Sequence, residues 1–140
     1  MPFVRVEVFD ATSAATRAVI ADAVYEAMRE TIGIPEGDRF IVVSARGKDE
    51  LFVDRAFQGM QRTDRFVLVQ IVLSHGRSQE KKQALYRRVA ERLHQSAGVP
   101  ADDVMVVLTE NNATDWSFGK GVAQFILNPP AWVQPAGEMK

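Results

Sequence analysis

The sequence predicts an α/β fold of the α+β kind, in which a duplicated β-α-β unit forms a four-stranded mixed sheet with two helices on one face. Two observations lead to this prediction. Segments with the two-residue period of a half-buried strand alternate with segments that have a helical period. The strand-helix-strand pattern then returns at a constant distance of 65 residues without a gap. A match of this kind indicates an internal duplication.

The first unit begins with a strand over residues 3–9, where valines alternate with Arg and Glu. Thr12 or Ser13 can cap the helix that follows, in which apolar side chains recur every four residues. The Gly-Ile-Pro sequence at residues 33–35 ends this helix, and residues 40–43 form the second strand.

The second unit repeats each of these features. Residues 67–73 form a strand, and Ser78, the counterpart of Ser13, caps a helix with one apolar stripe. A Gly-Val-Pro sequence at residues 98–100 ends that helix, and residues 104–108 form the fourth strand. The repeated unit with right-handed crossovers therefore predicts that both helices cover the same face of the sheet.

The length of 140 residues predicts one domain over residues 1–140. The connector between the two units, residues 47–64, is expected to be a short hairpin or a loop. The prolines after residue 128 predict that the end of the chain runs over the surface. The predicted parts are the first unit at 1–46, the connector at 47–64, the second unit at 65–110 and a C-terminal segment at 111–140.

Composition narrows the possible functions. A net charge of -1 without a long basic run gives no reason to expect a nucleic-acid partner. The absence of cysteine excludes disulfides and thiolate chemistry, and two histidines make an all-protein zinc site unexpected. No apolar stretch approaches a membrane span and no signal-peptide pattern opens the chain, so we expect no membrane partner and a cytoplasmic location.

The third strand predicts self-association. Residues 67–73 are apolar on both faces, so the face that the helices leave open also needs cover. Within one chain only the connector and the C-terminal segment are left to supply it. We therefore expect the sheet to pack against other copies of the same chain.

Pro2 is the first candidate for chemistry. Removal of the initiator methionine, which is expected before a small second residue, would leave Pro2 as a free secondary amine at the start of a strand. An α-amino group has a pKa near 8, so burial or neighbouring charge decides whether it acts as a base or an acid. Taken alone, a proline at this position also fits chance.

The turn after the third strand is the second candidate. Arg77 lies one residue before the predicted helix cap, where unpaired backbone N–H groups and a guanidinium would suit a carboxylate. A solvated arginine in a tight turn fits the same spacing. His75 is open to three interpretations: a second anion ligand, a proton carrier or a turn residue.

Two further groups complete the candidates. Asp38, in the loop before the second strand, can orient a water molecule or hold a positive charge near Pro2, although an Asp after Gly is also common turn chemistry. The C-terminal segment is rich in aromatic residues, which fit a core, a subunit contact or the wall of an apolar pocket. These residues are Trp116, Phe118, Phe125 and Trp132.

Together these features resemble the tautomerase superfamily, and within it the malonate semialdehyde decarboxylase group. The resemblance is carried by Pro2 at the start of a strand, the duplicated unit, the Gly-Arg-Ser sequence at 76–78 and the Asp-Trp-Ser-Phe-Gly-Lys-Gly sequence at 115–121. It extends over residues 2–127.

The resemblance implies a cofactor-free and metal-free enzyme for a small carboxylate substrate, assembled as a homotrimer. In decarboxylases of this group, a cationic N-terminal proline polarises the carbonyl of a 3-oxo acid. By this resemblance Pro2 is the general acid, Arg77 binds the carboxylate that is lost, and Asp38 assists. His75 is a substrate-binding residue, and an apolar wall is implied for Trp116, Phe118 and Phe125.

One position departs from that group. The decarboxylases carry an Arg-Pro-Arg-Ser-like sequence where this chain has residues 75–78, so His75 takes the place of an arginine. A histidine cannot hold a carboxylate with the same two-pronged geometry. Two alternatives to a 3-oxo acid decarboxylase therefore remain. One is a tautomerase, hydratase or dehalogenase of enol or unsaturated acids with Pro2 as base, and the other is a non-catalytic trimeric binding or signalling protein.

Overall fold

The computed structural model describes residues 1–131 and residue 133. Trp132 and residues 134–140 lie outside this part, so the prediction for the chain end and the role considered for Trp132 are not addressed. The main elements are β1 (Phe3–Phe9), α1 (Ala14–Ile32), β2 (Ile41–Arg46), β3 (Val67–Ser74), α2 (Gln79–Ala97), β4 (Val104–Asn111) and the short α3 (Gln124–Leu127).

The four strands form one mixed sheet in the order β2-β1-β3-β4. The central strands β1 and β3 are antiparallel, whereas β2 is parallel to β1 and β4 is parallel to β3. A parallel neighbour requires a crossover connection, which α1 supplies in the first unit and α2 in the second. The predicted four-stranded mixed sheet is confirmed.

The hydrophobic core lies between one face of the sheet and the two long helices. Every second residue of β1 and β3 is buried, which is the two-residue period of a strand with one covered face. These residues form one buried cluster with residues of both helices, so α1 and α2 share that face. The helical contribution includes Ile20, Val24 and Met28 of α1 and Leu85, Val89 and Leu93 of α2.

The two units also match in detail. Both helices are 19 residues long, and each begins with a serine whose side chain accepts a hydrogen bond from the amide three residues later. Each ends at a glycine in the left-handed conformation, with φ of 65° at Gly33 and 66° at Gly98. Glycine is favoured there because it has no Cβ to clash. Ser13, one of the two predicted caps, is the residue that caps α1.

The strands that flank the central pair extend further than their apolar runs predict. β2 continues to Arg46 instead of residue 43, and β4 continues to Asn111 instead of residue 108. In both cases the added residues pair with the end of a central strand, Arg46 with Phe9 and Asn111 with Ser74. Pairing with a neighbour therefore overrides the local polarity of the sequence.

The connector is a loop with one 3-10 turn at Phe57–Gly59, which is one of the two predicted alternatives. On the sheet face opposite the helices, three apolar side chains remain about two-fifths exposed in the single chain, namely Val42, Met105 and Val107. Among the described residues, no helix is long and apolar enough to cross a membrane.

Candidate active site

Three segments from distant parts of the sequence meet at one edge of the sheet. β1 is parallel to β2 and antiparallel to β3, so its start lies beside the start of β2 and the end of β3. Pro2 precedes β1, Asp38 precedes β2, and Arg77 follows β3. The topology thus places the three predicted catalytic residues in one neighbourhood.

The amino terminus forms an ion pair with Asp38. The N-terminal nitrogen of Met1 lies 3.8 Å from Asp38 Oδ2, and the Asp38 side chain is only 10% exposed. Pro2 is buried directly behind Met1. Because Met1 is present, its ammonium stands in for the amine that Pro2 would carry, one residue further along the chain, after methionine removal.

Burial competes with charge at both members of this pair. Burial lowers the pKa of the N-terminal ammonium; Asp38 opposes that shift and Arg77 adds to it. Burial raises the pKa of the Asp38 carboxyl, while the N-terminal ammonium and Arg77 oppose the change. The second oxygen of this carboxylate, Oδ1, is buried and has no hydrogen-bond partner among the described residues.

Arg77 is half-buried and anchored to the strand that it follows. Its Nη1 atom donates a 2.8 Å hydrogen bond to the carbonyl of Ser74, within a turn that Gly76 allows by adopting a φ of 120°. Burial lowers the pKa of the guanidinium, and Glu110 and Asp38 oppose this shift. Glu110 is itself paired with Lys82 at 2.6 Å. Since the bond to Ser74 uses one of the five N–H donors of Arg77, donors remain within the described structure for a bound anion.

His75 is held through its backbone. Its amide donates a 2.8 Å hydrogen bond to the carbonyl of Asn111 at the end of β4, whereas the side chain is exposed. His75 is therefore part of the same turn as Arg77, and its exposed imidazole is accessible to a ligand or to solvent.

The three predicted wall residues form one aromatic cluster. The rings of Trp116 and Phe118 are stacked at 5.6 Å, and Phe118 meets Phe125 edge to face at 4.7 Å. Trp116 Nε1 donates a hydrogen bond to the side chain of Asn111 at 2.9 Å. Since Asn111 also binds the backbone of His75, the cluster is attached beside the turn that carries Arg77.

The duplication explains why Asp38 is unusual. Its counterpart 65 residues later is Asp103, which is fully buried. Both oxygens of Asp103 are satisfied by Thr63, one by the amide and one by the hydroxyl, each at 2.6 Å. Asp103 is thus satisfied by the residue that precedes β3, whereas Asp38 faces the charged N-terminal nitrogen of Met1.

Sequence analysis did not single out Ser74 or Asn111, which join the turn to its neighbours. Neither residue type is unusual after a strand, so only the register of β1, β3 and β4 identifies them. Among the residues that the structure describes, no group of three or more His, Asp or Glu side chains is arranged to hold a metal ion.

This fold, in which a buried amino-terminal strand begins beside a carboxylate and an arginine, is of the tautomerase type. Residues 38–119 match the family described as "Tautomerase enzyme". The chain is 36% identical to the probable tautomerase YusQ of Bacillus subtilis (strain 168) over 126 residues, which are 90% of this chain and 99% of YusQ.

Two solved structures show the same likeness. FG41 malonate semialdehyde decarboxylase, inhibited by 3-bromopropiolate, superposes with a TM-score of 0.86 and is 34% identical, with 92% of this chain and 98% of that chain covered. A second malonate semialdehyde decarboxylase, with decarboxylase and hydratase activities, has a TM-score of 0.84 and 31% identity, covering 89% and 96%. The chain belongs to the tautomerase superfamily and is an enzyme structurally close to malonate semialdehyde decarboxylase.

Proposed function

We propose that the enzyme decarboxylates a small 3-oxo acid such as malonate semialdehyde, with Pro2 as general acid after removal of Met1. The main support is that three groups meet at one sheet edge. There the N-terminal nitrogen of Met1 lies 3.8 Å from Asp38, and both groups interact electrostatically with Arg77. A cation for a carbonyl oxygen and a cation for a carboxylate are what this reaction needs.

Each group has a role in the reaction. Arg77 binds the carboxylate, and the Pro2 ammonium, held by Asp38, donates its proton to the carbonyl oxygen. The bond between the carboxylate carbon and C2 breaks, and its electron pair forms the C2–C3 double bond of an enol while carbon dioxide leaves. The enol then gains a proton at C2 and loses the hydroxyl proton, which yields the aldehyde. The substrate carbonyl accepts the electrons itself, so the step requires no cofactor.

The aromatic cluster supports the same step through solvation. Trp116, Phe118 and Phe125 present apolar surface next to the turn that carries Arg77. A carboxylate against such a wall is destabilised relative to neutral carbon dioxide, while a fixed ammonium stabilises the charge that grows on the carbonyl oxygen. His75, in place of a second arginine, would contribute a weaker anion contact.

We also propose that copies of the chain assemble as a homotrimer. The open face of the sheet carries partly exposed apolar residues of the flanking strands, Val42 on β2 and Met105 and Val107 on β4. Packing of this face against equivalent faces would remove these side chains from water.

The direct test is a proton NMR time course of malonate semialdehyde with enzyme whose intact mass confirms a free Pro2 amine. We expect the aldehyde and methyl signals of acetaldehyde to appear as those of the substrate disappear, at a rate proportional to enzyme concentration. Substrate that persists at the rate of the enzyme-free sample would rule out this compound as the substrate.

A second candidate function is tautomerisation or hydration of an enol or unsaturated acid, with a neutral Pro2 as base. The observation that favours it is that burial lowers the pKa of the N-terminal ammonium, which increases the neutral fraction near pH 7. The hydratase activity of the second decarboxylase points the same way.

The dependence of kcat/KM on pH distinguishes the two functions. An acid is active as the ammonium, so decarboxylation should fall as the pH rises through the pKa of the Pro2 amine. Burial lowers the pKa of the Met1 ammonium, and the same effect on Pro2 would move this fall below the usual value of about 8. A base is active as the neutral amine, so activity should rise over the same interval. A profile that is flat from about pH 5 to 9 would contradict both roles of Pro2.

A further inference from the structure

Ser74 carries a hydroxyl group that no other described residue contacts by a hydrogen bond. It is the last residue of β3 and is 1% exposed. Its Oγ atom is buried and has no hydrogen-bond partner among the described residues. Most buried side-chain hydroxyls are paired, and an unpaired one is unfavourable for folding. This hydroxyl is therefore available to bind a ligand.

The register of the central strands shows what lies next to this hydroxyl. β1 and β3 are antiparallel, and their last pair at this edge is Phe3 with Val72. Continued by two residues, the same register places residue 1 level with Ser74. Side chains two residues apart in a strand share a face, so Ser74 lies on the face of Val72, opposite the helices.

The other side of residue 1 is occupied by Asp38. β1 and β2 are parallel, and Val4 pairs with Ile41. Continued by three residues, this register places residue 1 level with Asp38, in agreement with the 3.8 Å separation between the Met1 nitrogen and Asp38 Oδ2. Residue 1 thus lies between two residues that each have a buried oxygen without a partner in the described part of the chain, Asp38 Oδ1 and Ser74 Oγ.

We propose that Ser74 is a substrate-binding residue, in an inference that rests on the proposed function. When Met1 is removed, a small carboxylate takes its place between Asp38 and Ser74, in front of the amine of Pro2. The Ser74 hydroxyl then donates a hydrogen bond to a carboxylate oxygen of this substrate.

The anchoring of Arg77 explains why the bond goes to the carboxylate. One of its guanidinium N–H groups already donates to the carbonyl of Ser74 at 2.8 Å, so the guanidinium lies against the residue that carries the hydroxyl. The remaining N–H groups and the hydroxyl are therefore donors in one neighbourhood, and one carboxylate can accept from both. Asp38 lies on the opposite side, toward the amine.

The test compares Ser74→Ala with the wild type in two assays, using enzyme with a free Pro2 amine. Malonate, which cannot form an aldehyde product, serves as the probe for calorimetric binding, and KM and kcat are measured with malonate semialdehyde. We expect the Kd of malonate and KM to rise by about fivefold or more, as for loss of one hydrogen bond to a charged group. We expect kcat to stay within about twofold and the melting temperature to stay equal or to rise.

Two further variants test whether loss of the hydroxyl donor causes the weaker malonate binding of Ser74→Ala. Ser74→Cys keeps the shape of the side chain but has a weak donor, so it should bind malonate as poorly as Ser74→Ala. Ser44→Ala, on the same sheet face in β2, should leave Kd unchanged. A lower melting temperature with an unchanged Kd in Ser74→Ala would assign the hydroxyl to the fold and overturn the inference.

Arg77→Ala separates this inference from the proposed function. If Arg77→Ala weakens malonate binding and Ser74→Ala does not, the role of Ser74 is wrong and the carboxylate site stands. If Arg77→Ala leaves binding unchanged, or the wild type does not bind malonate at millimolar concentration, the carboxylate site itself is wrong and Ser74 falls with it.

Discussion

Replacement of Pro2 by alanine should lower turnover of a 3-oxo acid by at least about tenfold to a hundredfold, the usual contribution of a positioned acid or base. Alanine still allows removal of Met1, so the variant retains an amine at the same place. It loses the ring that makes the amine secondary and prevents rotation about the N–Cα bond, and therefore the fixed direction in which the amine protons point. Steady-state kinetics with malonate semialdehyde measure this effect.

The expected loss is specific to the chemical step. Pro2 lies outside β1, and the alternating valines of that strand remain buried against both helices, so the circular dichroism spectrum and the melting temperature should change little. Wild-type turnover by Pro2→Ala with a confirmed free amine would contradict the acid role. Loss of the circular dichroism signal together with activity would instead assign Pro2 to folding.

Much of the fold could be predicted because each element carries its own signal. The alternation of valines in β1, the serine caps and the left-handed glycines at the helix ends are local features, and the repeat at 65 residues joins them into two equivalent units. The ends of β2 and β4 could not be predicted in this way, because Arg46 and Asn111 are in strands only through pairing with Phe9 and Ser74.

The sequence allowed the candidate site residues to be named, but not the side chains that interact with them. Pro2, Asp38 and Arg77 follow from their places at strand and helix ends, and the antiparallel central pair brings these ends together. The pairing of Lys82 with Glu110 beside Arg77 could not be predicted, since many sequence positions offer the same charges. Ser74 gave no signal at all until the register was known.

The contrast between Asp38 and Asp103 bears on why the proposed site lies in the first half of the duplicated fold. In the second half, Thr63 satisfies both oxygens of Asp103, and the residue contributes to folding. In the first half, Asp38 pairs with the N-terminal nitrogen of Met1 through one oxygen, and its other oxygen remains unpaired among the described residues. A buried carboxylate oxygen without a partner is unfavourable for stability, and under the proposed function this carboxylate assists the proton transfer of the amine.

Replacement of Arg77, the proposed carboxylate ligand, should have a large effect on substrate binding. Arg77→Ala should raise KM for malonate semialdehyde by about tenfold to a hundredfold, because a charge-assisted hydrogen bond to a carboxylate contributes about 1.5–3 kcal/mol. Loss of the guanidinium also removes a cation that lowers the pKa of Asp38, so that pKa should rise further. Kinetics give the first effect, and the pH dependence of kcat/KM gives the second.

Two control variants test whether the effect requires a two-pronged donor and whether it requires this position. Arg77→Lys keeps the charge and loses the planar fork, so its KM should lie between those of the wild type and Arg77→Ala. Arg87→Ala removes an exposed arginine of α2 and should change neither KM nor kcat. An Arg77→Ala enzyme with wild-type KM would show that the carboxylate binds elsewhere. Because His75 lies in the same turn with an exposed side chain, it would then be the next candidate for that contact.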